Sequence, residues 1–406
     1  MKKQFFTALL LLATVAGTAQ VAVVKEAKSA KSDPEKAAQL ILPALSDPTT
    51  ANDPQTWKLA GDFQKAIYDA ENMKLFLPTG AAADTAKLYN SLLNLFEYYQ
   101  KADQVEQKLV QEGALKKAKL RKGLASELAK VRPNLTNAGS DAFNAGQYER
   151  ALKFFSLYVD AVDAPIFENE TAIKEDTLTA LIANYAALAA VQTKNNAATL
   201  KYAKIGKNNK EEGYRGLMCM AEVYKEGELK DSVQWLATIQ EGVEKFPQQE
   251  YFIGNLMDYY IQHGKIQDGL AQMDKVLATN PSPYFMYVKG VLQYEAKEYD
   301  NARTTFQAII DANKEFVAES YEKMGASYFF VAQELVEANS TIPMNDPRFE
   351  ANEKKIKDLY VKALPFYEKA KELKPDNNQL WGQYLLNIYW KLDKAKYEAL
   401  EKELGY

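Results

Sequence analysis

A Ser-x-x-Lys pattern at Ser320 and Lys323 is the arrangement in this chain that comes nearest to reactive chemistry. One helical turn separates two such residues, so the lysine amine could take the proton of the serine hydroxyl. The companion motifs that Ser–Lys hydrolases carry are missing, and so short a pattern arises easily by chance. The sequence therefore predicts no catalytic residues, and an enzyme is the least favoured function class.

The chain contains one histidine, His263, and one cysteine, Cys219. His263 lies in a turn between predicted helices, which is typical of a solvated residue. Cys219 lies in an apolar helical stretch, which is typical of a buried, inert thiol. One residue of each type provides too few ligands for a typical zinc site, and a buried, inert thiol and a solvated turn histidine do not suit a catalytic Cys–His pair. Since Gly206-Lys207 also lacks the preceding glycine of a phosphate-binding loop, we expect neither metal nor cofactor.

Composition and charge narrow the function class further. The 406 residues are 47% apolar and 26% charged, which is ordinary for a folded protein. The net charge of −4 and the pI of about 5.5 argue against a nucleic-acid partner, because no excess of cations offsets phosphate repulsion. Tyrosine is abundant, at 25 residues. We expect these tyrosines to pack between helices and to line a binding face.

The first residues predict export. Lys2 and Lys3 precede an apolar run over 5–16 that small residues follow, so residues 1–19 are predicted to be a signal peptide. The run is too short to span a membrane, and no cysteine follows it to carry a lipid. A Lys/Ala/Ser-rich flexible leader is expected over 20–33. The predicted location is the bacterial periplasm, without a membrane span or lipid anchor.

A recurring spacing of small and aromatic residues carries most of the information on fold. Intervals of 12 and then 4 residues separate the members of two triplets, Gly139, Ala151 and Phe155, and Gly290, Ala302 and Phe306. A small side chain lets one helix approach the next, and the aromatic side chain fills the space between them. Pro247 and Pro281 are 34 residues apart. This pattern resembles the tetratricopeptide repeat, whose period is also 34 residues.

The resemblance implies an all-α fold, a right-handed α-solenoid of stacked helix-turn-helix repeats. Residues 34–131 are expected to form divergent repeat-like helices, and residues 132–406 a solenoid of more regular repeats. Pro281 and Pro375 are 94 residues apart, which leaves 26 residues beyond two 34-residue periods. We therefore expect a helical insert at about 336–361 that projects from the solenoid.

Tetratricopeptide repeats line a concave groove with their first helices, and this sets the expected binding site. The matching positions in this chain are Tyr251, Asp258, Tyr284, Tyr287, Tyr294, Tyr389 and Trp390. A Tyr-rich groove suits a protein or peptide partner, here one of the cell envelope. The expected function is a scaffold for protein–protein interaction. The alternative is a module for cell-wall glycan or peptidoglycan that uses the same rings as sugar-stacking platforms.

Two further surface features leave alternatives open. The basic run 116–122 lies in a predicted helix over 114–131, and it is either a solvated helix face or a contact for an anionic surface. Three Asp-Ser/Thr-aliphatic triplets centre on Thr85, Thr177 and Ser232. They resemble an O-glycosylation sequon of exported bacterial proteins, and the sequence does not decide whether they are modified.

Overall fold

The computed structural model describes residues 21–76, 82–227, 229–313 and 315–405. Within these ranges every regular element is a helix and no strand occurs, which confirms the predicted all-α class. Helices pack mainly against their neighbours along the chain, as stacked helix pairs do. No described helix is both long and apolar enough to cross a membrane. The predicted signal peptide, 1–19, lies outside the described residues.

The chain divides into two compact units, Met1–Asp231 (unit 1) and Ser232–Tyr406 (unit 2). The core of unit 1 continues across residue 131, where the sequence suggested a boundary between divergent and regular repeats. The described helices of unit 1 are α1 (21–29), α2 (Pro34–Leu40), α3 (Leu42–Ser46), α4 (Pro48–Ala51), α5 (Pro54–Lys74), α6 (Thr85–Gln111), α7 (Arg121–Val131), α8 (Asn134–Asn144), α9 (Tyr148–Asp160), α10 (Thr171–Lys174), α11 (Thr179–Gln192), α12 (Asn196–Gly206) and α13 (Gly213–Lys225).

Unit 2 is built of helix pairs that differ in length. Its described helices are α14 (Ser232–Lys245), α15 (Glu250–Gln262), α16 (Ile266–Thr279), α17 (Pro283–Glu295), α18 (Tyr299–Ala312), α19 (Val317–Asn339), α20 (Pro347–Leu373), α21 (Gly382–Leu392) and α22 (Lys394–Leu404). A helix cap followed by proline starts several helices of both units. In α17, for example, the Ser282 hydroxyl accepts a hydrogen bond from the Phe285 backbone N–H at 3.2 Å.

The structure corrects the expected flexible leader. Residues 21–29 form α1, and Ala27 is fully buried in the core that α1 shares with α2 and α5. Ile41 and Phe63 are members of the same core. Alanine packs closely because its side chain is small and loses no rotamer freedom on burial. The Lys/Ala/Ser-rich composition of the segment did not indicate that one face of it is buried.

Glycine–aromatic contacts hold the helix pairs together. A Cβ atom added to Gly139 would lie 2.4 Å from the Phe155 ring, and one added to Gly290 would lie 2.6 Å from the Phe306 ring. Both distances are shorter than carbon atoms tolerate, so only glycine permits this approach. The spacing predicts that a small residue and an aromatic ring meet between paired helices. The structure confirms that contact in both units.

A glycine–aromatic contact also forms where many more residues separate the glycine from the aromatic residue. Gly325 in α19 contacts Tyr367 in α20, where an added Cβ would lie 2.7 Å from the ring. These partners are 42 residues apart, against 16 for Gly290 and Phe306, a difference of 26. The added length is helical on both sides of a turn over 340–346.

The sequence suggested that the added segment projects from the solenoid, and the structure corrects this expectation in part. Ile356 is fully buried and Tyr360 nearly so, in a core that also contains Phe329 and Leu385. The rings of Phe329 and Tyr360 stack with centroids 5.6 Å apart. Part of the added segment therefore belongs to the core of unit 2.

The basic run is mostly not helical, which corrects the predicted helix over 114–131. Helix α7 begins only at Arg121. Before it, the buried Glu106 carboxylate accepts backbone hydrogen bonds from Lys119 at 3.0 Å and Leu120 at 2.8 Å. The Arg121 guanidinium pairs with Asp103 at 2.8 Å. The segment before α7 is thus held by carboxylates of α6.

A substitution at Gly290 tests the glycine–aromatic contact. We expect Gly290→Leu to lower the free energy of unfolding by ~1–3 kcal/mol or more, because the leucine side chain would displace the Phe306 ring. Gly123→Leu is the matched control, since Gly123 lies in a helix with nothing near its Cβ position. The control should be neutral or slightly stabilising. Equal thermal unfolding temperatures for the two variants would refute the close contact.

A second pair of variants tests whether the added helix belongs to the core. Ile356→Ala should cost ~2–5 kcal/mol, because it removes a fully buried side chain and leaves a cavity. Val361→Ala, in the same helix but at an exposed position, should change stability by less than ~0.5 kcal/mol. Chemical denaturation measures both values. A small effect at Ile356 would mean that the added helix contributes nothing to the fold.

Candidate functional site

The residues that suggested chemistry are not arranged for it. Ser320 is fully buried, and its hydroxyl has no hydrogen-bond partner among the described residues. The Lys323 amine instead lies 3.2 Å from the Glu322 carboxylate and 5.5 Å above the Tyr294 ring. A buried hydroxyl with no base in reach cannot act as a nucleophile. Lys323 belongs instead to an aromatic surface of unit 2.

The lone histidine and cysteine behave as the sequence predicted. His263 is exposed, and its ring stacks on Tyr259 with centroids 4.1 Å apart. Cys219 is buried, and burial raises the pKa of its thiol to about 12, so the reactive thiolate is not formed at neutral pH. Over the described ranges, no group of three or more His, Cys, Asp or Glu side chains could hold a metal ion.

The predicted tyrosines of α17 lie together but are partly used in packing. Tyr287 stacks on Phe316 with centroids 5.1 Å apart, and Tyr284 also contacts that ring, at 5.9 Å. Burial raises the pKa of both phenols, so both remain hydrogen-bond donors at neutral pH. Phe316 has a left-handed backbone, with φ of 63°, which is rare for a bulky residue. This strained conformation orients the ring that supports the two tyrosines.

The remaining predicted residues have different environments. On α15, Tyr251 is half-buried and Asp258 is exposed. On α21, Trp390 is 69% exposed. Tyr389 corrects the prediction, because it is only 8% exposed and its hydroxyl donates a hydrogen bond to the Glu368 carboxylate at 2.7 Å. Tyr389 is therefore a core residue of unit 2 and is not available to a partner.

Tyr294 forms one wall of a cavity of about 470 Å³ on unit 2, which we call the aromatic cleft. Its ring lies 5.6 Å from that of Tyr299 and 6.4 Å from that of Phe330, centroid to centroid. Phe330 is 40% exposed, and the nearby Val336 is exposed to a similar extent. The lining residues are Tyr294, Glu295, Lys297, Tyr299, Phe330, Gln333, Glu334, Val336 and Glu337. Rings exposed at the wall of a cavity provide a binding surface for a side chain.

Sequence reasoning missed Phe330, although a signal existed. Phe330 comes five residues after Gly325, as Glu295 comes five residues after Gly290. Residues at the same distance from the packing glycine lie on the same face of their helices. The repeat that contains Phe330 was harder to recognise, because the added residues move the partner helix of α19 further along the chain.

The charges around the aromatic cleft are mostly negative. Lys297, the one basic residue among the described residues that line the cleft, pairs with Glu334 at 2.6 Å, and this pairing raises the pKa of the Lys297 amine. Glu295 and Glu337 form no salt bridge with any described residue. Since Lys297 and Glu334 offset each other, the cleft retains two uncompensated carboxylates beside its rings.

A buried carboxyl group interacts electrostatically with two of the predicted tyrosines. Glu322 is buried, and burial raises the pKa of its carboxyl group above the usual range although Lys323 opposes the shift. Burial, with a smaller contribution from the nearby Glu322 carboxylate, raises the pKa of the phenols of Tyr287 and Tyr294. The phenol of Tyr294 therefore stays protonated and can donate a hydrogen bond to a ligand.

Unit 1 has a smaller cavity of similar character. Its volume is about 300 Å³, and its lining includes Phe143, Phe155, Tyr185 and Arg215. Phe143 comes four residues after Gly139, as Tyr294 comes four residues after Gly290. Each unit therefore places an aromatic side chain at the same distance from a packing glycine, on the wall of a cavity.

Comparison with known proteins supports this repeat architecture. Residues 255–315, which include α17 and its glycine–aromatic pair, match the tetratricopeptide repeat family. None of the curated proteins matches the chain.

Three solved bacterial structures give partial superpositions. A tetratricopeptide repeat protein from Bacteroides fragilis is 15% identical, with 64% of this chain and 99% of that chain covered and a TM-score of 0.32. The C-terminal part of one from Cytophaga hutchinsonii is 16% identical, with 65% and 92% covered and a TM-score of 0.39. One from Parabacteroides merdae is 16% identical, with 67% and 98% covered and a TM-score of 0.36.

Superpositions with TM-scores this low establish neither the fold nor the function of this chain. The similarity to the repeat family therefore rests on the matched segment and on the helix pairs. Residues 255–315 span most of the helix pair α15–α16 and all of the pair α17–α18, including Gly290 and Phe306. Residues 255–315 are thus similar to the tetratricopeptide repeat family, and the described helix pairs make the glycine–aromatic contacts that the spacing of small and aromatic residues predicted.

Proposed function

We propose that this protein is a non-catalytic scaffold that binds a segment of another protein at the aromatic cleft of unit 2. The observation that carries the proposal is the exposed Phe330 ring beside Tyr294, at the wall of a cavity of about 470 Å³. Burial of an exposed aromatic ring by a partner is the usual source of binding energy at protein interfaces. Tetratricopeptide repeats offer such a surface ready-formed.

The preformed geometry favours a peptide or helix as the partner. Tyr284 and Tyr287 are held by Phe316, and Tyr294 is held between Tyr299 and Phe330. Rings that are already ordered lose little conformational entropy when a partner binds. A binding role without a bond-making step is supported by Ser320, whose hydroxyl is buried.

The proposed location is the periplasm, and the proposed partner a protein of the cell envelope. This part of the proposal is supported by the sequence of residues 1–19, with its paired lysines, short apolar run and small residues. The absence of a cysteine directly after that run argues against a lipid anchor.

A second candidate function is binding of cell-wall glycan. The observation in its favour is Trp390, whose indole is 69% exposed on α21 and can offer a flat face to a sugar ring. This function would use Trp390, whereas a peptide partner would use Phe330. The two candidates therefore differ in the residue on which binding depends.

Alanine variants and a pull-down from envelope extract test the proposal. Phe330→Ala should weaken partner binding by ~1–3 kcal/mol while the circular dichroism spectrum stays helical. Phe76→Ala is the control, because Phe76 is an exposed phenylalanine of unit 1, 77% exposed against 40% for Phe330, and does not line the cleft. Replacement of Lys116, Lys117 and Lys119 by glutamine should have a much smaller effect.

Two other outcomes would identify a different binding surface, either that of the glycan alternative or the basic run. Retention on purified peptidoglycan that Trp390→Ala abolishes would replace the protein-scaffold proposal by glycan binding. Loss of the partner in the triple lysine variant, with Phe330→Ala binding normally, would instead identify the segment before α7 as the binding surface.

A further inference from the structure

We infer that the aromatic cleft selects a basic segment of its partner and holds a lysine or arginine side chain against Tyr294 and Phe330. This inference rests on the proposed function and names the chemistry of the occupant. It depends on the combination of aromatic walls with a rim of carboxylates around one cavity. A cation is attracted by both features, whereas an acidic segment is repelled by the rim.

The charges of the cleft do not cancel, and this fixes the sign of the partner. Glu334 is compensated by Lys297 at 2.6 Å. Glu295 and Glu337 line the same cavity and form no salt bridge with any residue in the described ranges. Two carboxylates therefore face an incoming segment without a counter-charge of their own. A basic side chain supplies that counter-charge, and it also lengthens the range over which the partner is steered to the cleft.

The rings of this region already hold cations of the chain itself. The Lys323 amine lies 5.5 Å from the centroid of the Tyr294 ring. The Arg303 guanidinium lies 4.4 Å from the centroid of the nearby Tyr328 ring. Both distances are within the range of a cation–π interaction. The environment of these tyrosines thus suits an ammonium or guanidinium group, and Phe330 offers an additional exposed ring with no such group of the described residues over it.

The shape of the site favours one extended segment over a folded domain. A cavity of about 470 Å³ holds one or two large side chains, and exposed Val336 provides an apolar contact beside it. The aliphatic stem of a lysine or arginine packs on such a surface while its charged end reaches the rim. The occupant is therefore a basic side chain flanked by apolar residues.

Selection from a random peptide library on phage tests this inference with the full chain. Twelve-residue peptides enriched on the wild-type protein are sequenced, and the most enriched one is synthesised with a fluorophore. We expect enrichment of Lys and Arg over Asp and Glu. We also expect Glu295→Gln with Glu337→Gln to raise the Kd of that peptide about five- to tenfold and to weaken its salt dependence. Replacing the basic residue of the peptide by glutamine should have a similar effect.

The control removes the same number of charges elsewhere. Glu149→Gln with Glu350→Gln, at exposed positions outside the cleft, should leave the Kd within about twofold. Peptides that need Phe330 but show no basic preference, or that bind the Glu295 and Glu337 double variant normally, would overturn the inference and leave the scaffold proposal standing. Failure to enrich any peptide that depends on Phe330 would overturn both.

Discussion

The close approach of a glycine backbone to an aromatic ring is the contact on which the rest of this structure depends. It occurs at Gly139 with Phe155, at Gly290 with Phe306 and at Gly325 with Tyr367. A single methyl group at any of these glycines would overlap the ring. The contact sets how near the paired helices lie and which face of each helix is buried. It therefore also determines which residues remain on the opposite face.

The binding surface is a consequence of that packing. Tyr294 comes one helical turn after Gly290, so the glycine that fixes α17 also fixes the position of the ring. Phe316, in its left-handed conformation, supports the other tyrosines of the same helix. Rings that are held in this way form a surface before any partner arrives. The carboxylates at its edge add selection by charge to a contact that is otherwise apolar.

The features that depend on local spacing could be predicted from the sequence. Gly290, Ala302 and Phe306 stand at intervals that only paired helices explain, and the all-α class follows from them. The exposed His263 and the buried Cys219 were equally predictable from their neighbours. The tyrosines of α17 could be named because they stand at positions that line the groove in the tetratricopeptide repeats that this chain resembles.

Features that depend on distant partners could not be predicted in this way. The polar stretch containing Ala27 forms a helix because α2 and α5 offer it an apolar surface. The backbone of Lys119 is held by Glu106, thirteen residues earlier, and nothing near Lys119 indicates this. Tyr389 was misassigned because its burial depends on a core that it shares with residues of α19 and α20, and its hydroxyl is bound by Glu368 of the preceding helix. Phe330 was missed because the added residues of α19 and α20 obscured the repeat that contains it.

The glycine–aromatic contact is indifferent to the length of chain between its partners, and this bears on how such a fold can change. The separation is 16 residues at Gly290 and Phe306, 38 at Gly61 and Tyr99, and 42 at Gly325 and Tyr367. The same junction thus closes over a short turn or over a pair of extended helices. A repeat protein built on it can acquire new surface by insertion within one repeat, without duplicating repeats or disturbing the neighbours on either side.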